Sequence, residues 1–346
     1  MTIADRLLGK ASPPLLIAEL SANHDRDLDQ ALALVDIAAD CGWDCLKLQT
    51  YNADSLTMRS QHPSVSIDTV WGSDNLYDLY SKAAMPMHFH EPLFSRARER
   101  GLVPFTSVYD PRDLEFIEAL ECPIYKIASF EMTFDDLLAQ TAQTGKPIIL
   151  STGMATPHEI EHALEVLDKN NCTTVILLHC CSSYPAPPEQ INLRAMQSMQ
   201  QQFNRQVGFS DHTIGSRAAL TAATLGAVAI EKHFTNDTQR EGPDHRFSAT
   251  PDIMREISAG IEEIETLLGS DVKKLTSAEE TSREKGRRSA FALLDLPDGH
   301  VISASDFRFI RPNAGIAAND QESLIGKKLL NTVPQGFPIT KGDIAA

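Results

Sequence analysis

The sequence predicts a (β/α)8 barrel followed by a small β-rich module, and three observations point to this fold class. Short apolar runs alternate with helical apolar patterns eight times between residues 15 and 268. Strict alternation requires parallel strands joined by right-handed crossovers, and eight such units close into a barrel within about 270 residues. After residue 288 the helical pattern gives way to short strands and turns. An open doubly wound sheet is the alternative, but no Gly-x-Gly-x-x-Gly follows the first strand.

The first four units occupy residues 15–144. The predicted strands are 15–18, 45–49, 102–108 and 124–129, and the predicted helices are 28–41, 91–100, 111–120 and 134–144. A longer segment, 51–87, is interrupted by Pro63 and Pro86 and is predicted to be a loop over the carboxyl edge of the barrel. His88-x-His90 lies at a helix start rather than at a strand end, which favours a structural role over metal binding.

The last four units bring two histidines to the ends of neighbouring strands. The predicted strands are 147–151, 174–180, 207–209 and 227–230, and the predicted helices are 157–167, 192–203, 216–225 and 252–268. His212 and His233 follow the last two strands, and parallel pairing places both imidazoles at the carboxyl edge, where barrels bind ligands. Two imidazoles at one edge suit Zn, Mn, Fe or Co, so the matched placement favours a metal site over two structural histidines.

Composition excludes several classes of function. The formal net charge of -16 over 346 residues argues against a nucleic-acid partner, because phosphate backbones need clustered lysine and arginine. No segment approaches the roughly 18 apolar residues of a membrane span, and the first ten residues contain no signal-peptide run, so we expect no membrane partner and a cytoplasmic protein. The six cysteines form no C-x-x-C pair and are expected to be reduced.

Polar residues follow almost every predicted strand. They are Glu19, Lys47, Gln49, Thr106, Ser107, Lys126, Ser129, Glu131, Ser151, Thr152, Ser182, Tyr184, Ser210, His212 and His233. In a barrel these side chains converge on one pocket, where two lysines and several hydroxyls can hold a phosphate or carboxylate. A metal on the two histidines can polarise a carbonyl, and Glu19 and Glu131 are the available general bases or partners of the metal ligands.

The predicted domains are a catalytic barrel at 1–270, a linker at 271–288 and a β-rich module at 289–346. The linker prediction rests on the charged composition of residues 270–288. Within the module, residues 298–307 and 335–344 match one another, with Gly, Ile, a hydroxyl residue, Asp and an apolar residue in register. This internal match predicts a pseudo-symmetric module that is too small to hold much chemistry alone.

A series of short motifs is arranged in the order found in a known enzyme family. They include Ile17-Ala18-Glu19, Asn23-His24, Lys47-x-Gln49, Tyr125-Lys126-Ile127-x-Ser129-x-Glu131, Ser151-Thr152-Gly153-Met154, Tyr184-Pro185, Ser210-Asp211-His212-Thr213, Glu231-Lys232-His233-Phe234 and Arg311-Pro312. With these motifs the chain resembles the nonulosonic acid (sialic acid) synthases from about residue 15 to its C-terminus. In that family a (β/α)8 barrel precedes an antifreeze-like (SAF) domain, so the resemblance implies the same two domains here.

The resemblance implies a transferase that condenses phosphoenolpyruvate with the open-chain form of an N-acetylated amino sugar and releases phosphate. It assigns a divalent metal, Mn²⁺ first with Mg²⁺ or Co²⁺ as alternatives, to His212 and His233. Phosphoenolpyruvate is assigned to Lys47, Lys126, Ser129, Ser182 and Ser210, with Thr106 or Ser107 as a further hydroxyl. Water activation and sugar contacts are assigned to Glu19, Gln49, Glu131, Tyr184 and Asp244. Arg311 of the small domain is expected to reach the sugar in a second subunit, which implies a domain-swapped homodimer.

Motifs of two branches of the family, which use different sugars, occur in this sequence. Leu76-Tyr77-x-Leu79-Tyr80 and Lys126-Ile127-Ala128-Ser129-Phe130-Glu131 are similar to the pseudaminic acid branch, whose substrate is 2,4-diacetamido-2,4,6-trideoxy-L-altrose. Gly242-Pro243-Asp244-His245 is instead similar to the N-acetylneuraminate and legionaminate branches, which use N-acetylmannosamine or its diacetamido analogue.

Two alternatives come from other classes of function. A metal-dependent class II aldolase or hydrolase fits the same barrel, although the two strand-borne lysines favour the synthase. In the second alternative, the C-terminal module is a non-catalytic binding domain.

Overall fold

Eight parallel strands close into a barrel in sequence order in a computed structural model that describes residues 13–65, 75–172 and 174–345. The strands are β1 Leu15–Glu19, β2 Cys45–Thr50, β3 Val103–Val108, β4 Tyr125–Ile127, β5 Ile148–Ser151, β6 Val175–Cys180, β7 Gln206–Asp211 and β8 Ala229–His233. The predicted barrel is therefore confirmed. Strand β8 differs most from its prediction, because its pairing with β1 continues to His233 and so includes the polar Glu231-Lys232-His233.

Each predicted helix of the barrel has a counterpart in the structure. The helices are α1 Leu28–Asp40, α2 Ala53–Leu56, α3 Leu76–Ala83, α4 His90–Glu99, α5 Leu114–Ala119, α6 Asp135–Ala142, α7 Pro157–Lys169, α8 Ala195–Phe203, α9 Arg217–Thr224, α10 Pro251–Leu268 and α11 Ser277–Gly286. Helix α1 begins after Asp27, whose side chain accepts from the backbone N–H groups of Asp29 and Gln30. Within the described ranges, no helix is long and apolar enough to cross a membrane.

The segment expected to be a loop over the barrel contains two short helices, α2 and α3; residues 66–74 lie outside the described ranges. His90, which follows this segment, is buried and has a structural role, as expected. Its Nε2 lies 2.9 Å from Thr50 Oγ1 and its Nδ1 lies 3.1 Å from the Met87 carbonyl oxygen. Both ring nitrogens are therefore occupied by hydrogen bonds behind strand β2.

The chain divides into two compact units, Met1–Gly269 and Ser270–Ala346. In the second unit, β9 Ser289–Ala292 pairs antiparallel with β10 Phe307–Ile310 over a small apolar core. The internal match has a structural counterpart, since Asp306 accepts from Ser303 N and Oγ while Asp343 accepts from Thr340 N and Oγ1. The segment predicted as a linker contains helix α11, which a capping box at Thr276 initiates.

Candidate active site

A cavity of about 360 Å³ lies at the carboxyl edge of the barrel. The predicted site residues that line it are Lys47, Gln49, Ser107, Lys126, Ser129, Glu131, Ser151, Tyr184, Ser210, His212, His233 and Asp244. They come together because the strands are parallel and their ends therefore meet at one edge. Strand register adds to this, since Glu19 pairs with Lys47 on one side and with His233 on the other.

Two lysines and two glutamates form an ionic cluster at the floor of the cavity. Lys47 Nζ contacts Glu19 directly, donates to Ser107 Oγ at 3.1 Å and lies 3.8 Å from Glu231 Oε2. Lys126 Nζ lies 3.8 Å from Glu231 Oε1, which is too far for a hydrogen bond. The ammonium of Lys126 is thus close to a counter-charge and still able to donate to an added anion.

Glu231 was not among the predicted site residues, although it belongs to the floor. Its carboxylate lies between both lysines and accepts a hydrogen bond from Ser210 Oγ at 3.0 Å. The period of two along β8 could have revealed it, because Glu231 and His233 point inward while Lys232 points outward to Asp211.

Burial and charge oppose one another in this cluster. Burial alone would raise the pKa of Glu231, but Lys126 and Lys47 outweigh it and hold the pKa below its usual value. Burial lowers the pKa of Lys126 despite the opposing effect of Glu231. Burial also raises the pKa of Glu19 in spite of its contact with Lys47. Adding an anion near Lys126 would relieve the cost of its desolvation.

Three small polar side chains surround Gly153, which follows strand β5. Its backbone N–H donates to Ser129 Oγ at 3.0 Å. A Cβ at this position would lie 2.9 Å from Ser129 Oγ, 3.0 Å from Cys180 Sγ and closer still to Ser182 Oγ. Among the described residues, the buried Ser182 Oγ has no hydrogen-bond partner. Only glycine leaves these hydroxyls free to converge, and they form an uncharged group of donors beside Lys126.

The imidazoles of His212 and His233 have ring centroids 5.5 Å apart. His212 Nδ1 donates to the Cys181 carbonyl oxygen at 2.9 Å, so Nε2 carries the lone pair. This Nε2 lies 3.4 Å from Ser210 Oγ, which donates to Glu231 Oε1. Burial, with His233 close by, lowers the pKa of His212 to about 3, so this ring is neutral and able to coordinate a cation. Within the described ranges no group of three or more His, Cys, Asp or Glu could hold a metal ion, so the imidazole pair stands without a third such ligand there.

His233 and Asp244 connect the imidazole pair to the loop that follows β8. Among the described residues, His233 Nδ1 has no hydrogen-bond partner, and Asp244 Oδ2 lies 3.6 Å from it. His245 holds this loop, with Nδ1 2.7 Å from Thr235 Oγ1 and Nε2 2.8 Å from Asp25 Oδ1. Asp244 is thereby fixed at the cavity edge, where its carboxylate contacts Ser21 and can accept a hydrogen bond from a bound hydroxyl group.

The carboxyl group of Glu131, which also lines the cavity, differs from that of Glu231 in the direction of its pKa shift. Burial raises its pKa to about 7, with Lys126 acting in the opposite direction. Its Oε2 has no hydrogen-bond partner in the part of the chain that the structure describes. A carboxyl group that titrates near neutrality can both accept and donate a proton in a reaction.

Five predicted site residues do not line the cavity. One is Thr152, whose Oγ1 donates to the Leu178 carbonyl oxygen at 3.0 Å. Glu19 lies beneath it, where it contacts Lys47 and accepts from Gln49 Nε2 at 2.9 Å. Ser182 lies behind Gly153. Thr106 points to the outside of the barrel, with Oγ1 2.8 Å from Thr50 Oγ1, whereas its neighbour Ser107 points into the cavity. Arg311 is an exposed residue of the second compact unit.

Comparison with family models gives two matches that follow one another along the chain. The model described as the NeuB family matches residues 34–273, and the SAF domain model matches residues 287–345. The first match covers most of the barrel, and the second covers the unit that contains β9 and β10.

Curated relatives align over almost the whole chain. Pseudaminic acid synthase of Helicobacter pylori is 36% identical over 333 residues, which are 96% of this chain and 98% of that protein. N,N'-diacetyllegionaminic acid synthase of Campylobacter jejuni is 35% identical over 316 residues, which are 90% of this chain and 95% of that protein. Because these identities are nearly equal, overall similarity does not distinguish the two sugars.

Solved structures of related proteins have the same fold. The crystal structure of N-acetylneuraminic acid synthetase from Leptospira borgpetersenii in complex with citrate superimposes with a TM-score of 0.70 at 31% identity, covering 78% of this chain and 90% of that chain. Spore coat polysaccharide biosynthesis protein spsE from Bacillus subtilis superimposes with a TM-score of 0.67 at 31% identity, covering 100% of this chain and 99% of that chain.

Proposed function

Because this chain belongs to the NeuB family of sugar acid synthases, we propose that it condenses phosphoenolpyruvate with open-chain 2,4-diacetamido-2,4,6-trideoxy-L-altrose to give pseudaminic acid and phosphate. The observation that carries this proposal is the cavity floor, where two buried lysines lie beside two imidazoles. One substrate has two anionic groups and the other has a carbonyl group, so the site needs both cationic donors and an activator of the carbonyl.

Lys47 and Lys126 are the anchors proposed for phosphoenolpyruvate. In a chain of net charge -16, an anion is retained only where local cations outweigh the overall field. The hydroxyls of Ser107, Ser129 and Ser210 line the same floor and would donate to the phosphate or carboxylate oxygens. Ser182 would join them from behind Gly153, and Glu19 would position Lys47.

His212 and His233 are the proposed ligands of a divalent metal, with Mn²⁺ preferred to Mg²⁺ or Co²⁺. Their fit to a cation is supported by the unprotonated Nε2 of His212 and by the Nδ1 of His233, which has no hydrogen-bond partner among the described residues and lies 3.6 Å from the Asp244 carboxylate. A bound metal would polarise the sugar aldehyde. Asp244, Tyr184 and Gln49 line the cavity near this pair and would orient the sugar through its hydroxyl and acetamido groups.

The proposed reaction forms a bond between C3 of phosphoenolpyruvate and C1 of the sugar, and the aldehyde oxygen takes up a proton from solvent to become a hydroxyl. Water adds at C2 of the former phosphoenolpyruvate with loss of one proton. The new C2 hydroxyl then loses its proton and becomes the C2 carbonyl as the C2–O bond to phosphate breaks and phosphate leaves. Glu131 would take the proton from this water, because its pKa of about 7 allows the carboxylate to form at neutral pH. The substrate carboxylate and phosphate would stay near the two lysines until the C2–O bond breaks.

A second subunit would complete the site. Phe130, Met154 and Ile214 lie in loops at the carboxyl edge of the barrel and are 63%, 62% and 71% exposed, which is unusual for large apolar side chains that follow strands. In the proposed homodimer the small domain of the partner covers them and brings its Arg311 to the sugar.

The direct test is a phosphate-release assay with phosphoenolpyruvate and Mn²⁺. We expect release with the diacetamido altrose and mass detection of a nine-carbon acid, and no release without a sugar. N-acetylmannosamine and the diacetamido sugar of the legionaminate branch are the parallel arms, because Gly242-Pro243-Asp244-His245 favours those substrates. Chelation of divalent metal should abolish release and Mn²⁺ should restore it. Turnover of a sugar without phosphoenolpyruvate would instead support the aldolase or hydrolase.

A further inference from the structure

The cavity changes its chemical character between its floor and its rim. The floor consists of strand residues, and most of them are charged or carry hydroxyls. The rim on the side of the segment that follows β2 is apolar and aromatic, and it consists of Tyr51, Leu56, Leu79, Tyr80, Ala83 and, from the next loop, Tyr109. A substrate that fills the cavity therefore has a polar end at the floor and contacts hydrocarbon at the rim.

Helix α3, which carries Leu79 and Ala83, is held at both ends. The side chain of Asn75 accepts from Tyr77 N at its start, and Arg26 Nη1 donates to the carbonyl oxygens of Ser81 and Ala84 at its end, both at 2.9 Å. In the middle, the ring of Tyr80 meets the ring of Tyr51 edge to face with centroids 6.2 Å apart. The face of helix α3 that lines the cavity is therefore held in a fixed position.

The position of α3 relates it to the sugar. Leu79 and Ala83 also line a neighbouring cavity together with Ala22 and Pro243, so these four residues separate the two cavities. Pro243 precedes Asp244, which lies 3.6 Å from His233. A sugar with its aldehyde at the imidazoles and a hydroxyl at Asp244 therefore extends along α3 toward the rim.

We propose that Leu56, Leu79 and Ala83, here called the distal wall, contact the terminal carbon of the sugar and select a methyl group over a hydroxymethyl group. This inference rests on the proposed function. The side chains of the distal wall have no polar atoms, so a terminal hydroxyl would lose water there without gaining a hydrogen bond from them. Discrimination of about 10- to 100-fold is what an apolar surface provides against an added hydroxyl.

The test uses two sugars that differ by one oxygen atom. They are 2,4-diacetamido-2,4,6-trideoxy-L-altrose and its 6-hydroxy counterpart, each assayed with phosphoenolpyruvate and Mn²⁺. We expect the wild-type protein to prefer the 6-deoxy sugar in kcat/KM by about 10-fold or more. Leu79→Asn keeps the size of the side chain and adds an amide, so it should lower this preference by about 10-fold, mainly through KM.

Two matched variants distinguish a loss of selection between the sugars from damage to helix α3. Leu76→Asn makes the same change in the same helix at a residue that does not line the cavity, and it should leave the preference unchanged. Leu79→Met keeps an apolar surface and should retain the preference. Equal kcat/KM for the two sugars in wild type, or equal loss of preference in Leu76→Asn and Leu79→Asn, would overturn this inference alone. If neither diacetamido sugar supports phosphate release, or if N-acetylmannosamine supports it instead, the proposed function and this inference are overturned together.

Discussion

Individual residues of the site differ in pKa because each has a different balance of burial and charge. Glu231 lies between Lys47 and Lys126 and remains ionised, whereas at Glu131 burial outweighs the opposing effect of Lys126 and raises the pKa to about 7. Two carboxyl groups in one cavity can therefore have different roles, one as a permanent counter-ion and one as a proton acceptor.

Replacing Glu131 should change the pH dependence of catalysis. In wild type we expect kcat/KM to rise with an apparent pKa near 7, the value that burial gives to this carboxyl. Glu131→Gln should lower kcat/KM by about 100-fold and remove that rise from the pH profile. An unchanged pH profile in the variant would exclude Glu131 as the proton acceptor.

Ionisation of Glu131 should also make the free energy of unfolding depend on pH. Because the folded-state pKa is raised above the ordinary value of 4.5, the protonated carboxyl stabilises the fold below that value, and this stability is lost as pH rises through about 7. Glu131→Gln keeps a neutral side chain at every pH, so the variant should gain up to about 2–3 kcal/mol relative to wild type between pH 4.5 and pH 8. Urea unfolding at both pH values measures this difference.

Two loops at the ends of strands contribute to the site. One leaves space for neighbouring side chains, and the other positions a carboxylate. The turn between β5 and α7 needs glycine at position 153 because Ser129, Cys180 and Ser182 occupy the space of a side chain. The loop after β8 is held by His245, which fixes Asp244 at the cavity edge. In both loops the backbone sets the positions of the side chains in the site, and the buried strands hold that backbone in place.

Gly153→Ala should therefore disturb the hydroxyl cradle without unfolding the barrel. Its new methyl group must displace Ser129 Oγ or Ser182 Oγ, so we expect KM for phosphoenolpyruvate to rise about 10-fold or more. Gly286→Ala is the matched control, since a Cβ there meets no atom within 4 Å. Equal KM values for the two variants would show that the cradle does not bind phosphoenolpyruvate.

At the scale of the whole molecule, the proposed homodimer makes each active site depend on two chains. His212 belongs to the barrel unit and Arg311 to the second unit. If Arg311 comes from the partner, a mixed dimer of one His212→Ala chain and one Arg311→Ala chain contains one intact site.

Mixing these two inactive variants should consequently restore activity. With random exchange of subunits, about one quarter of the wild-type activity should return, because half of the dimers are mixed and each has one intact site of two. Phosphate release and the mass of the assembly in solution are the measurements. No recovery after demonstrated subunit exchange would assign Arg311 to the site of its own chain or to no site.

The sequence by itself determined the barrel, because apolar periodicity reports burial and strict alternation of strands and helices permits few topologies. It also determined which cations and imidazoles follow the strands, since Lys47, Lys126, His212 and His233 all lie at one edge. Tertiary structure alone decided where each side chain points: Ser107 inward and Thr106 outward, and Glu231 between two lysines that are distant in sequence. It also decided that Leu79 faces the cavity, because side-chain direction depends on strand register and helix docking, which are set by contacts between segments far apart in the chain.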